Sequence, residues 1–252
     1  MGVRHPSRPF MGVAVAVVVA SCTAGSSAPP LSGSAEVSFT TSDGVTLAGR
    51  VFGPADATAG VVLTHMLPAD QSSWYPEAAH LASQGYRVLT FDLRGYCPGG
   101  DAGCSQGAKD IGSSPTDLTA ALDYLRAHGP SRVALVGASI GGMASLIVAS
   151  QQPNIPAVIA LSAPEVLDTL AVGPEVLAKV GGAKLFIAGL GDPAGAAQAA
   201  QDMEARSPDP KRIEIVPTDD HGTALLTGGR GTQVTELIDA WLTQYLHPGS
   251  GS

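Results

Sequence analysis

The stretch Val133-Ala134-Leu135-Val136-Gly137-Ala138-Ser139-Ile140-Gly141-Gly142 decides the fold of this chain. A short apolar run, typical of a buried parallel strand, leads into Gly-x-Ser-x-Gly, and apolar residues then recur at helical spacing through Ser150. A serine between such a strand and helix lies on a sharp, strained turn with its hydroxyl exposed. We therefore expect Ser139 to be a nucleophile, with Gly137 and Gly141 small because the arms of the turn pass close together.

Strands and helices alternate along the rest of the chain. Two alternating segments, residues 35–40 and 45–52, flank Asp43-Gly44 and predict an antiparallel pair. Further strands are predicted at residues 61–64, 87–91, 157–161, 184–188 and 212–216, and helices at residues 74–84, 116–128, 195–205 and 232–246. This order predicts an α/β fold with a mainly parallel central sheet and helices on both faces.

The segment between the predicted strands at 157–161 and 184–188 is short. About twenty residues leave room for one short helix near 174–180, whereas a separate cap domain needs a longer insertion. We therefore expect a minimal cap or none, and an open site.

Two other loops carry groups that would activate a serine. Asp192 and His221 each follow a predicted strand, as Ser139 does, and reactive groups gather outside the carboxyl ends of parallel strands. In this arrangement His221 takes the proton from Ser139, and Asp192 fixes the tautomer of the imidazole.

Other residues compete for these roles. Among the histidines, His80 and His128 fall in predicted helices, where solvation or capping is expected, and His65 ends a strand. Glu165, Asp219 and Asp220 are the alternative acids.

Four motifs together resemble the α/β-hydrolase family, over residues 35–246. They are the Ser139 turn, Phe91-Asp92-Leu93-Arg94-Gly95-Tyr96, Gly189-Leu190-Gly191-Asp192-Pro193 and Asp220-His221-Gly222, and the order Ser, Asp, His is the family's order. The resemblance, closest in type to esterases and dienelactone hydrolases, implies a serine hydrolase that cleaves small-molecule carboxylic esters through an acyl-enzyme intermediate, without cofactor or metal. The alternative is a catalytically inactive member of the fold that binds a ligand or a partner.

The resemblance also implies an oxyanion hole and a substrate pocket. Where the family often has His-Gly, this chain has His65-Met66-Leu67-Pro68. The oxyanion donors are then the N–H of Ile140 and that of Met66 or Leu67, because proline has no N–H. His65 is expected to shape this loop, and Trp74 and Tyr96 to line the mouth with it, with core packing as the alternative for Trp74.

The amino terminus predicts export and a lipid anchor. A basic segment with Arg4 and Arg8 precedes the apolar residues 11–20, which are too few to span a membrane. Val19-Ala20-Ser21-Cys22 resembles the bacterial lipobox, which implies a signal peptide over residues 1–21, a lipid-modified Cys22 and an extracytoplasmic protein held at the cell membrane. The alternative is ordinary secretion, with cleavage near Ala24 or Ala28.

The other predicted segments follow from composition. Residues 22–34 are predicted to form a flexible tether, residues 35–246 one catalytic domain, and residues 247–252 a disordered tail.

Charge and cysteine content limit the partners and the metal sites that can be expected. Without Arg4 and Arg8, 12 of the 14 basic residues remain against 22 acidic residues, a formal net charge of −10, which argues against nucleic acid as a partner. Cys97 and Cys104 lie seven positions apart, and in an exported protein we expect them to form a disulfide rather than a metal site. The sequence does not predict the oligomeric state.

Overall fold

The computed structural model describes residues 1–3, 33–97 and 104–246. The chain divides between residues 30 and 31, and every element below belongs to the unit Leu31–Ser252. The predicted lipid attachment site Cys22, nearly all of the signal peptide and tether, and the tail 247–252 lie outside the described residues.

Eight strands form the central sheet and confirm the predicted α/β architecture. They are β1 (Ser34–Thr40), β2 (Thr46–Phe52), β3 (Ala59–Thr64), β4 (Arg87–Phe91), β5 (Arg132–Ala138), β6 (Ala157–Leu161), β9 (Ala183–Gly189) and β10 (Lys211–Val216). Their order is β1-β2-β4-β3-β5-β6-β9-β10. β2 is antiparallel to both of its neighbours, β1 and β4, and the six strands that follow β2 in this order are mutually parallel.

Helices cover both faces of this sheet. They are α1 (Tyr75–Ser83), α2 (Ser114–Ala127), α3 (Ile140–Gln151), α4 (Pro174–Leu177), α5 (Ala196–Arg206), α6 (Ala224–Thr227) and α7 (Gly231–Tyr245). Side chains of α2, α3, α4 and α5 pack in one core cluster, and those of α1, α6 and α7 in the other. Val62 of β3 belongs to the first cluster and its neighbours Val61 and Leu63 to the second, so the strand is apolar on both faces.

The insertion between β6 and β9 is small, as predicted. It contains a hairpin of two-residue strands, β7 (Val166–Leu167) and β8 (Leu170–Ala171), followed by α4. The carboxyl ends of the parallel strands are therefore not covered by a cap domain built from the described residues. None of the helices in the described ranges is both long and apolar enough to cross a membrane.

Charged residues occupy the two edge strands. On β1, Glu36 is largely exposed and pairs with Arg50 of β2 at 2.6 Å. On β10, Lys211 pairs with Glu204 at 3.6 Å, and Arg212 pairs with Glu214 at 3.2 Å. Both edges of the sheet thus carry ion pairs.

Candidate active site

Ser139 lies on a strained turn between β5 and α3. Its backbone has φ 51° and ψ −117°, a conformation that few residues other than glycine adopt and that is held here by its surroundings. The Ser139 N–H donates to the Leu161 carbonyl at 2.8 Å, and the Ser139 carbonyl accepts from the Gly142 N–H at 2.9 Å. The side chain is partly exposed, as the sequence predicts for a serine on such a turn.

Close backbone contacts explain the two glycines of the motif. A Cβ atom on Gly137 would overlap the carbonyl oxygen of Gly141. A Cβ atom on Gly141 would overlap the Thr64 carbonyl and lie 2.8 Å from the His65 carbonyl. The first residues of α3 therefore pack directly against the end of β3, and the loop that begins at His65 lies beside the serine turn.

Asp192 and His221 form a close pair at the carboxyl ends of β9 and β10. Asp192 Oδ2 lies 2.7 Å from His221 Nδ1, and Asp192 Oδ1 accepts from the Ala194 N–H at 2.9 Å. The Asp192 side chain is fully buried, whereas the His221 side chain is 28% exposed. Because a carboxylate accepts the Nδ1 proton, the Nε2 atom keeps its lone pair and can act as a base.

Backbone hydrogen bonds hold the acid loop against the histidine loop. The Leu190 N–H donates to the Val216 carbonyl at 2.8 Å, and the Gly191 N–H donates to the Thr218 carbonyl at 3.0 Å. At Gly189 a Cβ atom would lie 2.6 Å from the Asp220 carbonyl. The two loops are therefore in direct contact along their backbones.

The histidine loop in turn reaches the serine turn. A Cβ atom on Gly222 would lie 3.4 Å from the Cβ of Ala138, which places the neighbour of His221 against the neighbour of Ser139. Within the described residues the Ser139 hydroxyl makes no hydrogen bond. The structure thus joins the acid to the base and brings the serine turn next to their loop.

The alternative acids and bases have other partners. Glu165 pairs with Arg206 at 2.7 Å, and Asp220 accepts from the Thr218 hydroxyl at 2.7 Å. Among the histidines, His80 pairs with Asp239 at 2.8 Å, and His128 Nδ1 lies 2.7 Å from the Tyr124 carbonyl, as the sequence-based capping role suggests. Asp192 is the carboxylate that contacts His221 in the described part of the chain.

His65 supports the loop after β3 from inside the protein. Its Nε2 accepts from the Leu93 N–H at 3.0 Å, and its Nδ1 lies 2.9 Å from the Met66 carbonyl. The acceptor role of Nε2 places the proton on Nδ1, which donates to Met66. Burial lowers the pKa of His65 to about 4, so the ring is neutral and both of its nitrogens are occupied.

Backbone N–H groups without a partner in the described part of the chain occur both in the serine turn and in the loop after β3. The N–H groups of Ile140, Met66 and Leu67 have no hydrogen-bond partner among the described residues. Met66 and Leu67 are both partly exposed. An N–H free of internal partners beside a nucleophile is available to a developing negative charge.

The three predicted pocket residues differ in exposure. His65 and Trp74 are fully buried, and Trp74 packs in the cluster below α1 and α7, which was the alternative interpretation of this residue. Tyr96 is partly exposed, and its ring contacts the edge of His65 and the Lys109 ammonium group, 4.1 Å from the ring centroid. Of these three residues, only Tyr96 reaches the surface.

Two large apolar side chains are exposed although they were not expected to be, one in the acid loop and one in the β7–β8 hairpin. Leu190 is 65% exposed in the acid loop, two positions before Asp192. Val166 is 68% exposed in the hairpin that follows β6. For Leu190 the sequence did contain a signal, because it is the one large apolar residue in the turn motif Gly189-Leu190-Gly191-Asp192-Pro193.

Buried charges order the loop after β4. Asp92 accepts from the Gln71 N–H at 2.9 Å and from the Gln71 side-chain amide at 2.7 Å, and burial raises the pKa of this carboxyl to about 6. Arg94 pairs with both Asp117 and Asp43 at 2.7 Å. These contacts hold the loop after β4 in place.

The predicted disulfide between Cys97 and Cys104 is present in the structure, with the two Cα atoms 4.6 Å apart. It closes the segment that follows Tyr96. The disulfide therefore lies next to the one predicted pocket residue that is exposed.

Comparison with known proteins shows which family and which proteins this chain is similar to. The sequence model of a family described as alpha/beta hydrolase fold matches residues 61–186, half of the chain. A Variovorax paradoxus protein named putative carbamate hydrolase RutD is 33% identical over 105 residues, which cover 41% of this chain and only 37% of that protein.

Two solved structures resemble the whole domain. The esterase Pf2001 of Pyrococcus furiosus is similar with a TM-score of 0.71 and 18% identity, over 85% of this chain and 92% of that chain. A dienelactone hydrolase from Anabaena variabilis is similar with a TM-score of 0.66 and 24% identity, over 85% of this chain and 98% of that chain. At these identities the likeness concerns the fold.

Proposed function

This chain belongs to the α/β-hydrolase fold family, and on that basis we propose that it is a serine hydrolase that cleaves carboxylic esters through an acyl-enzyme intermediate. Ser139 is the nucleophile, His221 the general base and Asp192 the acid that orients it. The observation that carries the proposal is the 2.7 Å contact between Asp192 and His221, whose loop packs beside the strained turn of Ser139.

The proposed reaction has two halves, acylation of Ser139 and hydrolysis of the acyl-enzyme, and His221 acts as the base in both. Nε2 of His221 takes the Ser139 proton as Oγ attacks the ester carbonyl carbon, and Asp192 stabilises the resulting imidazolium. The N–H of Ile140 and that of Met66 or Leu67 bind the oxyanion, which collapses and expels the alcohol with the proton held by His221. Water, activated by the same base, then attacks the acyl-enzyme and releases the acid and Ser139.

An open site favours small esters over peptides. Between β6 and β9 the chain has only a short hairpin and α4, so this insertion supplies no gating domain of the kind a fold-related peptidase would bring. The names of the Variovorax and Anabaena proteins suggest carbamates and lactones as further substrates to assay. The exposed Leu190 and Tyr96 would offer apolar surface to an acyl or alcohol group.

A second candidate function is ligand binding without catalysis. The observation that favours it is the Ser139 hydroxyl, which makes no hydrogen bond within the described residues, together with the Met66 side chain at a position where the family often has glycine. A protein of this kind would keep the fold and the Asp192–His221 pair but would not form an acyl-enzyme.

Labelling with a fluorophosphonate probe separates the two candidates. We expect the purified full-length protein to be labelled and to hydrolyse p-nitrophenyl esters, and Ser139→Ala to lose the label and about 10⁵-fold or more of kcat. Ser162→Ala is a matched control, because Ser162 lies beside Ser139 at the end of the neighbouring strand, also has positive φ (50°) and is buried. A folded wild-type protein that takes no label would support the binding function instead.

We also propose that the protein is exported and anchored to the cell membrane through a lipid on Cys22. The lipobox-like Val19-Ala20-Ser21-Cys22 supports this proposal. The anchor would leave the domain outside the cytoplasm, where a disulfide such as that of Cys97 and Cys104 persists.

A further inference from the structure

The Met66 side chain connects the loop after β3 to the histidine loop. Its Sδ accepts a hydrogen bond from the Thr223 hydroxyl at 3.9 Å, and a Cβ atom on Gly222 would overlap this sulfur. Gly222 also has φ 58°, so both the backbone conformation and the nearby sulfur favour glycine at this position. Met66 therefore packs directly against the two residues that follow His221.

The backbone of Met66 is held from the other side. The buried His65 ring donates to the Met66 carbonyl, and that ring is fixed in turn by the Leu93 N–H. Met66 also carries one of the two candidate oxyanion N–H groups on its loop. A displacement of its sulfur would thus move both the general base and an oxyanion donor.

Met66 is also the methionine most open to oxidants in the domain. Met143 and Met203 are 0% and 1% exposed, whereas Met66 is partly exposed. Cys97 and Cys104 are already oxidised in their disulfide. In the described ranges 33–97 and 104–246, Met66 is therefore the one reduced sulfur-containing residue that is not fully buried.

We propose that Met66 is a positioning residue for His221 and the oxyanion loop, and that its oxidation by a peroxide inactivates the enzyme. The inference rests on the proposed hydrolase function. The thioether sulfur attacks one oxygen of hydrogen peroxide, an S–O bond forms as the O–O bond breaks, and the departing hydroxide takes the proton of the sulfur-bound hydroxyl and leaves as water. The sulfur is oxidised by two electrons and the peroxide is reduced.

The packing around the sulfur explains why one oxygen atom would matter. The sulfur lies so close to Gly222 that a Cβ atom there would overlap it, so an added oxygen on that side would press against the Gly222 backbone. The sulfoxide is also polar and a stronger hydrogen-bond acceptor than the thioether, which would alter the Thr223 contact. We expect the two loops to separate, with a loss in kcat larger than any change in KM.

Treatment of the full-length protein with hydrogen peroxide tests the inference. Wild type should gain one oxygen atom on the peptide that contains Met66 and lose roughly tenfold to a hundredfold in kcat, because removal of an oxyanion donor costs on the order of 10² to 10³ and a displaced donor costs less. A methionine sulfoxide reductase should restore the lost activity. The kcat of Met66→Leu after peroxide treatment should equal the kcat of the same variant before treatment. The matched control Met203→Leu should lose as much of its kcat as wild type does.

Complete oxidation at Met66 without loss of activity would overturn the inference, as would equal loss in Met66→Leu. A readout that needs no turnover separates this result from a failure of the proposed function. The His221 ring resonances, followed by NMR, should shift on oxidation of wild type but not of Met66→Leu. If the His221 resonances shift in a protein that takes no fluorophosphonate label, the hydrolase function is rejected and the positioning role of Met66 is kept. If they do not shift after complete oxidation, the positioning role of Met66 is rejected.

Discussion

At the residue scale, the two members of the Asp192–His221 pair differ in their access to solvent. The acid is buried and is fixed by the Ala194 N–H, while more than a quarter of the histidine side chain is exposed. A buried carboxylate with two hydrogen-bond donors is held in one orientation, so it can impose one tautomer on its partner. The exposed side of the ring remains free to exchange protons with a substrate or with water.

Asp192→Asn should therefore damage catalysis with little effect on folding. The amide keeps the size of the side chain and an oxygen for the Ala194 N–H, but an NH₂ group facing His221 would favour the tautomer with the proton on Nε2. We expect kcat/KM for p-nitrophenyl esters to fall roughly 10³-fold to 10⁴-fold. Asp220→Asn and Glu165→Gln serve as controls and should stay near the wild-type rate. A nearly full rate in Asp192→Asn would reassign the acid.

The sequence anticipated the positions of the site residues better than their exposure. Ser139, Asp192 and His221 each follow a strand, and strand order alone brings such residues to one edge of a parallel sheet. The burial of Trp74 and His65 was not predictable in this way, because the same sequence pattern is compatible with a loop side chain that points toward solvent and with one that points toward the core. The contact of Met66 with Gly222 joins residues far apart in the chain and has no local signal.

At the scale of elements, α1 and α7 enclose a carboxyl group that has no ion-pair partner among the described residues. Glu77 of α1 is 5% exposed, and its Oε2 accepts from the Thr235 hydroxyl of α7 at 3.4 Å. Its Oε1 has no hydrogen-bond partner among the described residues. Burial raises the pKa of Glu77 to about 7, with Asp239 adding to the effect and His80 opposing it.

This raised pKa should make the protein less stable as the pH rises. The unfolded state loses the Glu77 proton near pH 4.5 and the folded state near pH 7, so the destabilisation grows between these values and reaches roughly 3 kcal/mol above them. Glu77→Gln should remove this part of the pH dependence when urea unfolding is compared at pH 4.5 and pH 8. Glu236→Gln, at an exposed position of α7, should keep the wild-type dependence. The same slope in Glu77→Gln and wild type would contradict the assignment.

Secondary structure was predictable where elements are long. The strands at Arg87–Phe91 and Ala157–Leu161 have the predicted bounds, and α7 differs from its prediction by one residue at each end. The β7–β8 hairpin and α6 were missed, because strands of two residues and a helix of four are too short to show a hydrophobic period. The burial of Glu77 was not predicted either, because an acidic residue on a helix is expected to face water.

At the scale of the whole molecule, the proposed location depends on one side chain outside the described residues. Cys22→Ser should release the protein from the membrane fraction, because the lipid chains rather than a spanning helix would hold it there. Detergent-phase partitioning and mass spectrometry of the mature amino terminus measure the effect. Ser26→Ala, in the predicted tether, is the control and should stay in the membrane fraction.

Two other results are informative for this prediction. A wild-type protein found free in the medium, with its amino terminus near Ala24 or Ala28, would indicate ordinary secretion. Retention of Cys22→Ser in the membrane fraction would mean that another part of the chain attaches it. Either result would leave the proposed chemistry of Ser139 unaffected.

The ion pairs on β1 and β10 affect whether neighbouring copies of the protein can join through the edges of their sheets. An unpaired strand edge can join the sheet of a neighbouring molecule, and such joining is a route to aggregation. Here a neighbour that docked on either edge would have to desolvate Glu36 on one side, or Lys211, Arg212 and Glu214 on the other. Many domains concentrated on one surface would therefore resist merging into a continuous sheet.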